Sequence, residues 1–148
     1  MLCAVMTESG IRAVGQAANP GSGTPAIELA LPDVPLRDLA PMIHRQRLVI
    51  EGTPRSPIDA PSIREYLTGL SRVCGMTTLI EPVTHRSDRY GWAGWIHWET
   101  SGAHFYAWDV PTLFFSADVY TCKAFDPLVA ARFTAEFFDA TEIVAKEF

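Results

Sequence analysis

Cysteine is scarce: Cys3, Cys74 and Cys122 are the only 3 in 148 residues, widely spaced and without a C-x-x-C pair. That excludes a disulfide framework and a structural zinc site of ordinary ligand spacing, and it leaves room for a working thiol. Positive charge is also short. Against 17 Asp and Glu stand 12 Lys and Arg, for a net charge of −5 and a pI near 5.3. No basic cluster occurs, so nucleic acid is not an expected partner. Long hydrophobic runs are missing. Met1 to Met6 is apolar but brief, lacks a basic flank and runs into Thr7, Glu8 and Ser9. Neither a secretory signal nor a membrane span is expected from it, and a cytoplasmic location is. The 4 histidines lack ligand spacing, so no metal site is expected, and no internal repeat is evident.

Apolar surface is what the chain does have. At 48% hydrophobic and 11% aromatic residues it can fill the core of one domain. Residues 1–42 are broken by Asn19-Pro20-Gly21-Ser22-Gly23 and by prolines at 25, 32, 35 and 41, which reads as an irregular arm. The domain proper is expected over 43–148. Leu48-Val49-Ile50, ended by Gly52 and Pro54, suits a buried strand. Ser62 and Glu65 form a capping-box pattern ahead of a helix whose apolar positions are Ile63, Tyr66, Leu67, Leu70 and Val73, up to Gly75.

Thr77 to Val83, Tyr90 to Trp98, His104 to Trp108 and Phe114 to Thr121 are rich in β-forming residues. Asp126-Pro127 opens a second helix with Val129, Phe133 and Phe137 on one face, and Glu142 to Phe148 reads as a closing strand. The expected order is β-α-β-β-β-β-α-β. This is an α+β fold, a two-layer α/β sandwich in which two helices cover one face of a mainly antiparallel sheet.

Functional side chains are densest between Tyr90 and Phe125, where His97, Thr100, Ser101, His104, Tyr106, Asp118, Tyr120, Cys122 and Lys123 fall. Each has an ordinary reading too. A Ser-Gly pair such as Ser101-Gly102 favours a turn, and a cysteine at a strand end is commonly a small buried hydrophobe.

Several segments resemble the small prokaryotic S-adenosylmethionine decarboxylases over about residues 44–148. These are Arg47-Leu48-Val49-Ile50-Glu51, the helix closing in Gly75-Met76, Tyr90-Gly91-Trp92-Ala93-Gly94, and above all Asp118-Val119-Tyr120-Thr121-Cys122. The resemblance implies the S-adenosylmethionine decarboxylase fold and a homodimer that joins sheets across two protomers. It also implies a pyruvoyl cofactor made from the chain itself. Counted without gaps from Tyr90, the processing serine falls on Ser101.

Its hydroxyl would attack the preceding carbonyl and cut the chain after Thr100, giving fragments 1–100 and 101–148 and a ketone that serves as an electron sink when CO₂ leaves. By the same resemblance Cys122 is the proton donor, Glu51 an acidic residue beside a cationic substrate, and His104 or Tyr106 an assisting group. The implied activity is decarboxylation of S-adenosylmethionine or a related amino acid in polyamine-type biosynthesis.

The departures from the family pattern concentrate on self-processing. Thr100 stands for Glu, Gly102 for His, Ala93 for the assisting serine and Tyr106 for the processing histidine. A phenol, with an ordinary pKa of about 10, is a poor base at neutral pH. Two further readings therefore stand beside the first. One is an unprocessed, non-catalytic homologue that binds a ligand or regulates a partner. The other is a metal or thiol enzyme using His97, His104 and Cys122.

Overall fold

The structure, a computed structural model, describes residues 37–148. The arm expected over 1–42 lies outside the described residues as far as 36. Ala40–Phe148 forms one compact unit, which takes in the expected domain.

The run Leu48-Val49-Ile50 sits in β1 (Gln46–Thr53), and alternate side chains turn to opposite faces: Leu48 and Ile50 are 2% and 0% exposed, while Arg47 is open to solvent. Next comes α1 (Ala60–Val73), which buries Ile63, Tyr66, Leu67 and Leu70 and ends before Gly75, whose φ of 64° suits a residue without Cβ. The expected capping box does not form. Asp59 is the cap, its carboxylate accepting from the Ser62 N–H at 2.9 Å, so the helix begins ahead of Ser62. Aspartate caps as well as serine does, and Pro61 tolerates an early helical position, so the chain starts the helix at the first good cap it meets.

Then follow β2 (Thr78–Ser87), β3 (Gly91–Trp98), β4 (Ser101–Trp108) and β5 (Phe114–Thr121), with α2 (Pro127–Phe137) and β6 (Glu142–Glu147) completing the order expected. The sheet runs β2-β3-β4-β5-β1-β6, and each neighbouring pair is antiparallel. Two boundaries differ in kind from expectation. β2 has register shifts between Thr78 and Val83 and continues in unbroken register to Ser87, and β4 begins at Ser101, so the turn lies at Glu99-Thr100 and not at Ser101-Gly102.

Asp126 caps α2 by accepting from the Leu128 and Val129 N–H groups. The face it buries is rotated from the expected Val129 stripe: Ala130 and Thr134 are deepest, and Val129 is exposed. Small residues let α2 approach α1 closely enough for the Tyr66 hydroxyl to meet Thr134 Oγ1 at 2.9 Å, while the Phe133 ring stacks on Tyr66 beside that contact.

One core results. Ile96, Trp98, Ala103, Phe105, Ala107, Phe115, Ala117 and Val119 join the helix residues in a single buried cluster on one face of the sheet. At roughly 25 cal/mol per Å² of apolar area, that burial is the main stabilising term. The alternate residues of β3, β4, β5 and β1 form a second face, over which no helix of the described residues lies, and chemistry-bearing side chains stand there.

Candidate functional site

The register sorts this open face into rows across the sheet. The first holds His97, Gly102, Tyr120 and Arg47; the next holds Trp95, His104, Asp118 and Val49; the third holds Ala93, Tyr106, Ser116 and Glu51. Ser101 stands one residue beyond the first row, where β3 turns into β4: Trp98 pairs with Ser101, which pairs in turn with Thr121.

A two-residue hairpin loop favours turn types with positive φ inside the turn. Here neither Glu99 nor Thr100 has one, and Ser101 carries a φ of 131° instead. That region is rare for a side chain with a Cβ and costs about 1–3 kcal/mol unless the surroundings impose it. Strict alternation from the buried Ala103, Phe105 and Ala107 would turn Ser101 toward the helices; with this φ it lines a concavity of about 560 Å³ on the open face, together with Trp95, His97, Gly102, His104 and Tyr120.

The surroundings are built to impose it. Trp98 is buried and donates from Nε1 to Ser71 Oγ at 2.7 Å, tying the end of β3 to α1. Glu99 N–H donates to the Thr77 carbonyl at 3.0 Å. Thr100 Oγ1 accepts from the buried Thr121 hydroxyl at 3.1 Å and donates to Met76 Sδ at 3.5 Å. The Thr100 carbonyl, the group a Ser101 hydroxyl would attack, accepts the backbone N–H of Cys122 at 2.9 Å. Cys122 Sγ lies 3.8 Å from Ser101 Oγ, within reach of a weak hydrogen bond in either direction.

The two described cysteines differ sharply. Cys122 is exposed, whereas Cys74 is buried and desolvation pushes its thiol up to about 12, which keeps it protonated and inert. Arg47 and Asp118 form a two-pronged ion pair on the same face, Nε–Oδ1 at 2.9 Å and Nη2–Oδ2 at 2.7 Å, and this contact raises the Arg47 pKa further.

Of the residues singled out in the sequence, Ser101 and Cys122 are thus side by side at one end of the open face, and His104 lines the same concavity three residues along β4. Tyr106 and Glu51 share a row further along the strands. With about 3.3 Å per residue, five residues put Tyr106 roughly 17 Å from Ser101. Ala93 and Tyr106 are cross-strand partners, so the two positions to which the resemblance assigns the assisting serine and the processing histidine face each other. His97, His104 and Cys122 belong to no group of three or more ligand-type side chains close enough to hold a metal ion among the described residues. Sequence reasoning passed over the Cys122 N–H and the Thr121 hydroxyl. Only the β4–β5 register, in which Ser101 pairs with Thr121, reveals the former, and the latter looked like one more β-forming threonine.

These features define a class: a two-layer α/β protein whose antiparallel sheet, among the described residues, keeps one face open and holds a serine and a thiol side by side at a hairpin. Within that class the chain belongs to the S-adenosylmethionine decarboxylase family, which matches residues 52–148. Among solved structures, the adenosylmethionine decarboxylase of Aquifex aeolicus VF5 superposes with a TM-score of 0.59 at 17% identity, covering 72% of this chain and 89% of that one. That likeness is one of fold. No curated protein matches the chain. No helix among the described residues is long and apolar enough to cross a membrane.

Proposed function

We propose that the chain is a pyruvoyl-dependent decarboxylase of S-adenosylmethionine or a related amino acid, formed by its own cleavage between Thr100 and Ser101. The observation that carries this reading is the geometry around one peptide bond. Ser101 holds a φ of 131°, its hydroxyl lies beside the Cys122 thiol, and the Thr100 carbonyl is fixed by the Cys122 N–H. A donor already aimed at that oxygen would stabilise the charge it gains as Ser101 Oγ adds to the carbon. Relief of the disfavoured φ once the peptide bond opens adds to the drive.

The residues present fit the family's cofactor, because the serine that must supply it faces the concavity and not the core. When formed, the pyruvoyl group supplies the electron sink for loss of CO₂. Cys122 stands where it can return a proton to the decarboxylated carbon. Glu51 offers charge complementarity to a cationic substrate, but it lies too far along the same sheet to reach Ser101.

A homodimer resolves this. A two-fold axis between two open faces, running across their strands, lays the Ser101 end of one sheet over the Glu51 and Tyr106 end of the other. The enzyme would then act in the cytoplasm, in polyamine-type synthesis. Intact-mass measurement of freshly made protein tests the reading. Fragments 1–100 and 101–148 are expected, with neither formed by Ser101→Ala, and a single stable mass near 16.3 kDa would defeat it.

A second reading has its own observation. Ala93 opposite Tyr106 removes a serine and a histidine from one spot, as expected of an unprocessed homologue that binds a ligand or regulates a partner. Release of CO₂ from carboxyl-labelled substrate, abolished by Ser101→Ala, would exclude it.

A further inference from the structure

With Ala93 and Tyr106 facing each other, the chain lacks the family's serine and histidine, yet breaking the Thr100–Ser101 bond still requires a group to carry a proton. The open face offers imidazoles at His97 and His104, both lining the concavity that Ser101 lines. Register separates them. His104 lies three residues along β4, roughly 10 Å from Ser101 at about 3.3 Å per residue. His97 is on the adjacent strand, paired with Gly102, so its Cα is one residue along and one strand over. With strands about 4.8 Å apart, that is roughly 6 Å from Ser101.

Three more observations favour His97. It is exposed on the open face while its neighbours Ile96 and Trp98 are buried, so the ring is directed to the side on which Ser101 opens. Its partner across the pair is glycine, which leaves the space beside the imidazole free. A Cβ at 102 would stand 2.4 Å from the Ile96 carbonyl oxygen, so the close approach of β3 and β4 at this point depends on that glycine. Among the described residues no hydrogen bond or ion pair engages the His97 ring.

Resting on the self-processing reading above, we propose that His97 is the proton-transfer residue of the Ser101 site. It takes the hydroxyl proton as Oγ bonds to the Thr100 carbonyl carbon, then hands that proton to the backbone nitrogen of Ser101 as the C–N bond breaks. The product is an ester linking Thr100 to the Ser101 side chain. One O–H and one C–N bond are exchanged for one C–O and one N–H bond, so no further reactant is consumed. Imidazole suits both halves of the transfer because it accepts and donates near neutral pH.

The test follows cleavage of the full chain by intact mass in a cell-free synthesis time course, with wild type, His97→Ala, His97→Gln, His104→Gln and Ser101→Ala made in parallel. Both His97 variants are expected to slow cleavage by on the order of 10²-fold or more. Added imidazole should restore part of the rate to His97→Ala and none to Ser101→Ala, while His104→Gln slows cleavage less than His97→Gln does. A His97→Gln chain that cleaves at the wild-type rate overturns the assignment, as does a slow His97→Ala chain that imidazole leaves unchanged. A wild-type chain that never cleaves overturns the self-processing reading itself, and the two failures are therefore distinct.

Discussion

Cys122 and Cys74 illustrate how little a residue type says before its surroundings are known. Both are single cysteines without a local motif, yet one is exposed within 3.8 Å of a serine hydroxyl and the other is sealed at the end of α1. Brief treatment of the native protein with an alkylating agent near neutral pH is expected to modify Cys122 and to spare Cys74, whose thiol is held at about 12 by burial; peptide mass mapping reads the outcome. Gly102 makes a second prediction at this scale. A methyl group there would meet the Ile96 carbonyl oxygen at 2.4 Å, so Gly102→Ala must open the β3–β4 hairpin. The expected loss is about 1–3 kcal/mol in denaturant unfolding, with slower cleavage in the proposed reaction. The serine and the thiol were singled out by the family resemblance of the motifs around them. The N–H on the Thr100 carbonyl was not, because a backbone donor leaves no trace in residue identity until strands are paired.

Among the elements, β-forming composition and helical periodicity located the strands and helices of the described residues, because each contributes alternate or i, i+4 side chains to one core. The ends were less legible. Asp59 outcompetes the Ser62–Glu65 pattern, and close helix packing turns Val129 outward, since both outcomes depend on neighbours that the local sequence does not contain. The Asp59 cap has a pH signature. Its hydrogen bonds to Ser62 lower the carboxyl pKa from 3.8, so the folded state binds fewer protons than the unfolded chain in that range. The cap's stabilisation is therefore complete above 3.8 and is lost as pH falls through the lower folded-state value. The gap in melting temperature between wild type and Asp59→Ala should be constant from neutral pH to about pH 5 and close in stronger acid. A gap that widens in acid would contradict the sign.

At the scale of the whole described unit, the sheet face opposite the helices is the surface on which pairing of two copies would depend. Tyr120 and Val144 stand on it at 42% and 59% exposure, and Glu51 and Ser101 lie toward its opposite ends. If two copies pair there, the double variant Tyr120→Glu and Val144→Glu should shift sedimentation from dimer to monomer with helix content unchanged. A monomeric wild type would remove the proposed route by which Glu51 and Ser101 meet. The layer order was legible in the sequence, whereas the separation of these two groups along the strands was not, since it follows from the register that sets Glu51 opposite Ser116 and Ser116 opposite Tyr106, five residues along β4 from Ser101.

That sheet order bears on the fate of a nicked chain. Severed after residue 100, the upstream piece would own β1, β2 and β3 and the downstream piece β4, β5 and β6, yet β1 would still be sandwiched between two strands of the other piece. The halves would be interleaved like fingers of clasped hands, so that separating them means dismantling the sheet. A broken backbone here would leave one folded body with two new termini at the mouth of the concavity.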